Sequence, residues 1–214
     1  MKFSIEELRP TRNGMTISRD SKLGNSTKVT YFSMGKDTSI SQESYDRMTM
    51  YIGASGWGEF IIGEEPEIIK LQPDELLIVP AGTLCGMQTS NGIVYTEIIC
   101  TGKDINMNAN VKTNEVFALK NLISYEEGSI ANMDVVSTPD MKYVLMAFDE
   151  GTGLTPHRAP GNAIVFALEG KATIGYEGKD YELSEGECFR FEKNGPHSVT
   201  ANGKFKMALL LVLE

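Results

Sequence analysis

Apolar and β-branched residues run along this chain in short bursts, and no burst keeps a helical period for ten residues. The bursts at 28–34, 75–80 and 93–100 in the first half, and at 142–148, 188–191 and 204–213 in the second, are of strand length. A longer stretch, 163–183, reads as two strands joined by a turn at Glu177-Gly178. Further turn signals stand at Gly63-Glu64-Glu65-Pro66, Asn91-Gly92 and Asn202-Gly203. Residues 3–8 and 116–122 have apolar spacings that suit either one helical turn or a short strand. Many short, evenly spaced strands predict an all-β sandwich or barrel.

The pattern occurs twice. Phe3, Ile5 and Leu8 are answered by Phe117, Leu119 and Leu122, and Gly14 and Gly56 by Gly128 and Gly170, every pair 114 residues apart. Phe32 and Gly35 answer Phe148 and Gly151 at a slightly longer interval, so a small insertion lies between these anchors. The repeat predicts two copies of one fold, 1–108 and 109–214. Their join falls in the polar, Asn-rich stretch 102–112.

Composition narrows the function. The chain has 214 residues, 41% of them hydrophobic, enough for two packed units of roughly 100 residues each. Its 21 glycines fall between the apolar bursts, as tight turns require. The net charge is −9, with no block of Lys or Arg, which argues against nucleic acid and anionic membrane surfaces as partners. The first residues have no apolar run of signal-peptide length, and no stretch approaches the ~18 apolar residues of a spanning helix. Three cysteines, Cys85, Cys100 and Cys188, are an odd count and lack zinc-knuckle spacing. Reduced thiols in a cytoplasm are the expectation.

Both histidines lie in the second copy, His157 in Thr-Pro-His-Arg-Ala-Pro-Gly-Asn-Ala and His197 in Asn-Gly-Pro-His-Ser. With their neighbours they resemble the cupin superfamily. Its first motif, Gly, His, His, Glu and Gly at set intervals, falls on Gly151, His157, Ala159, Ala163 and Gly170. Its second, Gly, Pro, Gly, His and Asn, falls on Gly186, Glu192, Asn194, His197 and Ala201. In the first copy the second motif falls on Asp74, Pro80, Gly82, Cys85 and Thr89, while the first motif is eroded to Gly35 and Gly56. The resemblance implies two tandem cupin barrels of the jelly-roll type, a bicupin, with degenerate metal-binding motifs.

It also implies that His157 and His197 point into the C-terminal barrel, with Ala159 and Ala163 where a second imidazole and a carboxylate would stand. One reading is a divalent transition metal (Zn, Ni, Fe or Cu) on the two imidazoles, with Asn162 or Cys188 as further donors. The other is a neutral histidine pair in a polar cavity, since catalytic metals usually have three protein ligands. The two alanines either free space for a small molecule or let Phe166, Phe189 and Phe191 collapse inward. No metal is expected in the N-terminal barrel. There Cys85 reads as an inert buried thiol, Glu43 has an uncertain register, and Tyr51 and Trp57 read as core or rim packing. Arg158, next to His157 on a strand, faces the other way. Neither a hydrolase triad nor a phosphate-cradling loop is present.

The expectation is therefore a small-molecule-binding protein, monomer or homodimer, whose pocket lies at His157, His197, Ala159 and Ala163. Its N-terminal barrel would be structural. The alternatives are a metal-dependent oxygenase or isomerase acting on a small polar metabolite, and a purely structural or partner-binding protein.

Overall fold

A computed structural model of the chain describes residues 1–25, 27–102 and 104–213. Of the expected join at 102–112, Lys103 thus lies outside the described residues. The first copy runs β1 (Lys2–Phe3), α1 (Ile5–Leu8), β2 (Thr16–Asp20), β3 (Lys28–Met34), β4 (Thr38–Ser44), β5 (Thr49–Gly56), β6 (Gly58–Ile62), β7 (Glu67–Leu71), β8 (Glu75–Val79), β9 (Leu84–Thr89) and β10 (Ile93–Ile99). After β11 (Asn106–Met107) the second runs β12 (Val116–Ala118), a 3-10 turn (Leu119–Asn121), β13 (Ile130–Ser137), β14 (Met141–Phe148), β15 (Gly153–Arg158), β16 (Gly161–Tyr176), β17 (Lys179–Ser184), β18 (Cys188–Phe191) and β19 (Pro196–Leu213). The ambiguous opening segment resolves the same way in both copies, as a short strand followed by one helical turn.

The chain is almost wholly β, and the second copy reproduces the first with two strands fused. β16 does the work of β5 and β6, and β19 that of β9 and β10. The predicted turn at Glu177-Gly178 joins β16 to β17, and both residues take positive φ (50° and 79°), as a two-residue hairpin turn of the right twist demands. Gly56 and Gly170 mark equivalent kinks. Each has positive φ (67° and 76°), and a Cβ there would stand 2.1 Å from a backbone oxygen, Gly92 O or Lys204 O. Only glycine fits such a place.

The described residues form two compact units, and the division does not follow a single cut. One holds Met1–Ser4, Gly102–Asn108 and the chain from Leu119 onward; the other holds Ile5–Thr101 and Ala109–Ala118. The boundary expected at 108/109 therefore differs at both short opening strands. β1 pairs with β18 (Lys2 opposite Phe189, Phe3 opposite Cys188). β12 pairs with β8 (Val116 opposite Leu77, Phe117 opposite Leu76).

The unit built mainly from the first copy has a six-stranded sheet, β12-β8-β5-β10-β3-β2, and a four-stranded sheet, β4-β9-β6-β7. Both contribute to one core containing Met34, Tyr51, Phe60, Leu77, Met87 and Tyr95. The other unit is one continuous sheet, β1-β18-β16-β19-β14-β13-β11, with β15 on β19 and β17 on β16. Its core is built around phenylalanine: Phe148, Phe189, Phe191 and Phe205 are each at most 1% exposed and belong to one cluster.

Candidate functional site

His157 and His197 are direct partners across β15 and β19, and their rings stand 4.2 Å apart between centroids, inclined at 55°. Each ring places Nδ1 2.9 Å from a carbonyl two residues back, Thr155 O for His157 and Gly195 O for His197. A carbonyl only accepts, so in the neutral rings Nδ1 carries the proton and Nε2 is left as the acceptor. The environments differ. His197 is 7% exposed and stacks on Phe191 at 4.2 Å, whereas His157 is exposed. Burial lowers the His197 pKa from its ordinary value; the Gly195 carbonyl partly offsets this, and His157 adds to the lowering.

The space around the pair does not match the pocket expected from the alanines. Ala163 is 1% exposed and lies in the apolar cluster with Phe189 and Phe191. Those two rings fill the volume that a smaller side chain leaves. Phe166 takes no part: by strand alternation it faces the other side of β16, where it meets Tyr143. Ala159 is partly exposed in the short connection between β15 and β16. A groove of about 300 Å³ does touch His197, but it lies along Pro156, Pro196, Ser198 and the β16–β17 turn, and neither His157 nor the alanines line it.

Nor does the donor set suit a catalytic metal centre. Two imidazoles supply half of a tetrahedral shell. Asn162 Oδ1 already accepts from Lys193 N at 2.8 Å. Cys188 stands on the face of β18 opposite Phe189 and Phe191. Among the described residues no group of three or more His, Cys, Asp or Glu side chains is placed to hold a metal ion. Arg158 gives its guanidinium to Asn194 O.

The other unit holds a different arrangement. Between its two sheets lies a cavity of about 230 Å³. Phe32, Tyr51, Tyr95 and Glu97 line it from the six-stranded sheet, and Ile40, Ser41, Glu43, Phe60, Cys85 and Met87 from the four-stranded one, with Tyr45 beyond the end of β4. Register explains the grouping: Thr30, Glu97 and Tyr51 face one another in a row across β3, β10 and β5. Opposite them, Glu43 pairs with Cys85 across β4 and β9. The rings are packed among themselves, with Phe32 stacked on Tyr95 at 5.0 Å and Tyr51 tilted against Phe60 at 4.7 Å.

Glu97 is the unusual member. It is 5% exposed, and it makes no hydrogen bond or ion pair with any described residue. Burial pushes its carboxyl up to about 7, against a small opposing pull from Lys28. The Thr30 hydroxyl directly across from it is buried and likewise without a partner. Burial also pushes the Cys85 thiol up to about 11, although a hydrogen bond from Tyr51 draws it back. Cys85 is therefore a thiol and not a reactive thiolate at neutral pH. Tyr45 is pushed up to about 12 by burial and by Glu97 and Glu43. Tyr51 and Tyr95 are raised further by burial, so both keep their protons.

Sequence reasoning did not single out Glu97. The signal was a lone acid inside the apolar run 93–100, two places beyond Tyr95 and so on the same face of the strand. Glu43 stands opposite Cys85 and lines the cavity while remaining exposed, and Tyr51 is both core and cavity wall.

Residues 144–213 match the Cupin_2 family of cupin domains. No curated protein matches the sequence. Among solved structures, a Cupin 2 conserved barrel domain protein from Leptotrichia buccalis is 25% identical, with a TM-score of 0.87 over 99% of this chain and 96% of that one. Salicylate 1,2-dioxygenase from Pseudaminobacter salicylatoxidans is 11% identical, with a TM-score of 0.65 over 87% and 71%. Its adducts with gentisate give 10% and 0.66 over 92% and 73%. At such identities the dioxygenase shares the fold alone. The family match over residues 144–213, the full-length structural likeness and the doubled motif spacing agree on a cupin fold.

Proposed function

We propose that this protein binds a small molecule in the cavity between Phe32 and Cys85, and that the histidine-bearing unit serves mainly as scaffold. The observation that carries the proposal is Glu97, a buried carboxylate with no partner facing an aromatic-lined space. An unpaired polar group in an apolar site is costly, and a bound molecule that pairs with it removes the cost. A largely apolar cavity with a few convergent polar groups is the usual make-up of a ligand site. In the other unit the corresponding interior is filled by phenylalanine.

A screen of small metabolites for raised melting temperature tests this, since any ligand of the folded state alone stabilises it. The shift given by a hit is expected to vanish in Cys85→Trp, which fills the cavity, and to persist in His157→Ala and His197→Ala. A shift lost in the histidine variants and kept in Cys85→Trp would move the site to the other unit.

The free Nε2 atoms of His157 and His197 favour a second reading, a metal-dependent enzyme acting on a small polar metabolite. It requires stoichiometric Zn, Ni, Fe or Cu in protein purified without chelator, and loss of that metal in either histidine variant. With two protein donors, we expect metal to be weakly held and removed by dialysis.

A further inference from the structure

The cavity also carries information about the charge of what enters it. Its lining includes two carboxylates, Glu97 at the sheet and Glu43 on the opposite side, and among the described residues no Lys, Arg or His. Glu97 is 5% exposed and without a partner, and the Thr30 hydroxyl opposite is buried in the same condition. Five rings, from Phe32, Tyr45, Tyr51, Phe60 and Tyr95, complete most of the wall. The carboxylates and the rings act in the same direction. An anion brought here would lose its hydration, meet two acids and find no cationic partner. A cation would gain the carboxylate as a charge-assisted hydrogen-bond acceptor and the aromatic rings as sources of cation–π attraction.

Resting on the reading that this cavity is the ligand site, we infer that its ligand is a small organic cation, a protonated amine whose N–H groups donate to the Glu97 carboxylate. The amine supplies the partner that the Glu97 carboxylate lacks, and its carbon skeleton lies among the rings. Glu43, exposed near the opening, biases approach toward positive charge and contributes less once the ligand is seated. The class differs from gentisate, the acid carried by the dioxygenase of the same fold.

Three probes of similar size and different charge decide the matter: benzylamine, benzyl alcohol and benzoate, titrated into the full chain at pH 8 with binding read by calorimetry and by tyrosine fluorescence. Benzylamine should bind at least about tenfold more tightly than benzyl alcohol, and benzoate should not bind. In Glu97→Gln the benzylamine advantage should disappear while benzyl alcohol binds as before. Glu43→Gln should cost benzylamine only about two- to threefold. Benzyl alcohol binding as well as benzylamine, with Glu97→Gln changing neither, would overturn the charge preference and leave the cavity a ligand site. Failure of all three probes to bind would overturn the ligand site itself. Benzoate binding best would overturn the charge preference outright.

Discussion

Glu97 shapes how stability should vary with pH. Its carboxyl titrates near 7 in the fold against an ordinary value of 4.5, so between those values the folded chain holds more protons than the unfolded one. Folding is then most favoured below about pH 4.5 as far as this group is concerned, and loses stability as the pH rises toward 7. Glu97→Gln keeps the shape and removes the charge. It should raise stability at pH 8 by on the order of 3 kcal/mol and flatten the rise in melting temperature on going to pH 5. A variant less stable than the parent at pH 8 would show that Glu97 is paired in the folded protein. His197 acts oppositely: burial lowers its pKa from 6.5, so its neutral ring favours folding at neutral pH, and that contribution fades as the pH drops below about 6.5. Because His197 is buried on Phe191 and His157 is exposed, His197→Ala should cost about 2–3 kcal/mol and His157→Ala less than about 0.5, by thermal melts in chelator. Equal, large losses would mean that the two rings jointly hold something. The histidines could be read from the sequence because their spacing is distinctive. Glu97 could not be weighed there, since whether an acid in an apolar strand is paired depends on three strands meeting in space.

At the scale of elements, the equivalence of the two copies makes a sharper statement than either alone. Gly56 and Gly170 are 114 residues apart in sequence, and both bend a strand where a backbone oxygen comes within 2.1 Å of a would-be Cβ. Alanine at either place meets a left-handed backbone and a carbonyl that cannot move without breaking sheet pairing. Gly56→Ala and Gly170→Ala should each destabilise by about 2 kcal/mol or more, whereas Gly178→Ala, whose Cβ would meet nothing within 4 Å, should cost only the left-handed backbone strain of about 1 kcal/mol. Denaturant midpoints at constant slope measure this. The repeat, the hairpin at Glu177-Gly178 and the strand character of both halves were legible in the sequence, because turn residues and apolar alternation are local signals. The fusion of strands into β16 and β19 was not. Continuity across a bulge depends on pairing along both edges, as β16 has with β17, β18 and β19, and no local pattern records it.

The two-residue strands matter most at the scale of the whole molecule. β1 belongs to the unit that contains β18, although its chain neighbours from Ile5 onward belong to the other. Its attachment includes the ladder from Lys2 and Phe3 to Phe189 and Cys188, a hydrogen bond from Arg190 N to Met1 O at 3.0 Å, one from the Met1 ammonium to Arg190 O, and the Lys2–Glu187 ion pair at 2.9 Å. The ion pair is partly exposed and contributes at most about 1 kcal/mol. The backbone hydrogen bonds contribute roughly 1 kcal/mol each and cover an edge of β18 that would otherwise face solvent. A two-residue strand with one apolar position, Phe3, cannot reveal from sequence which sheet it will join, because its pairing is decided by whichever edge lies free. Deleting residues 1–4 tests the assignment by hydrogen exchange. Amides of Cys188, Phe189 and Arg190 should exchange about ten- to a hundredfold faster, in step with a local loss of roughly 2 kcal/mol, while Tyr95 and Glu97 on β10 keep their protection. Faster exchange along β10 with β18 unchanged would assign the opening strand to the unit that holds Glu97 and restore a simple division of the chain into its two sequence repeats.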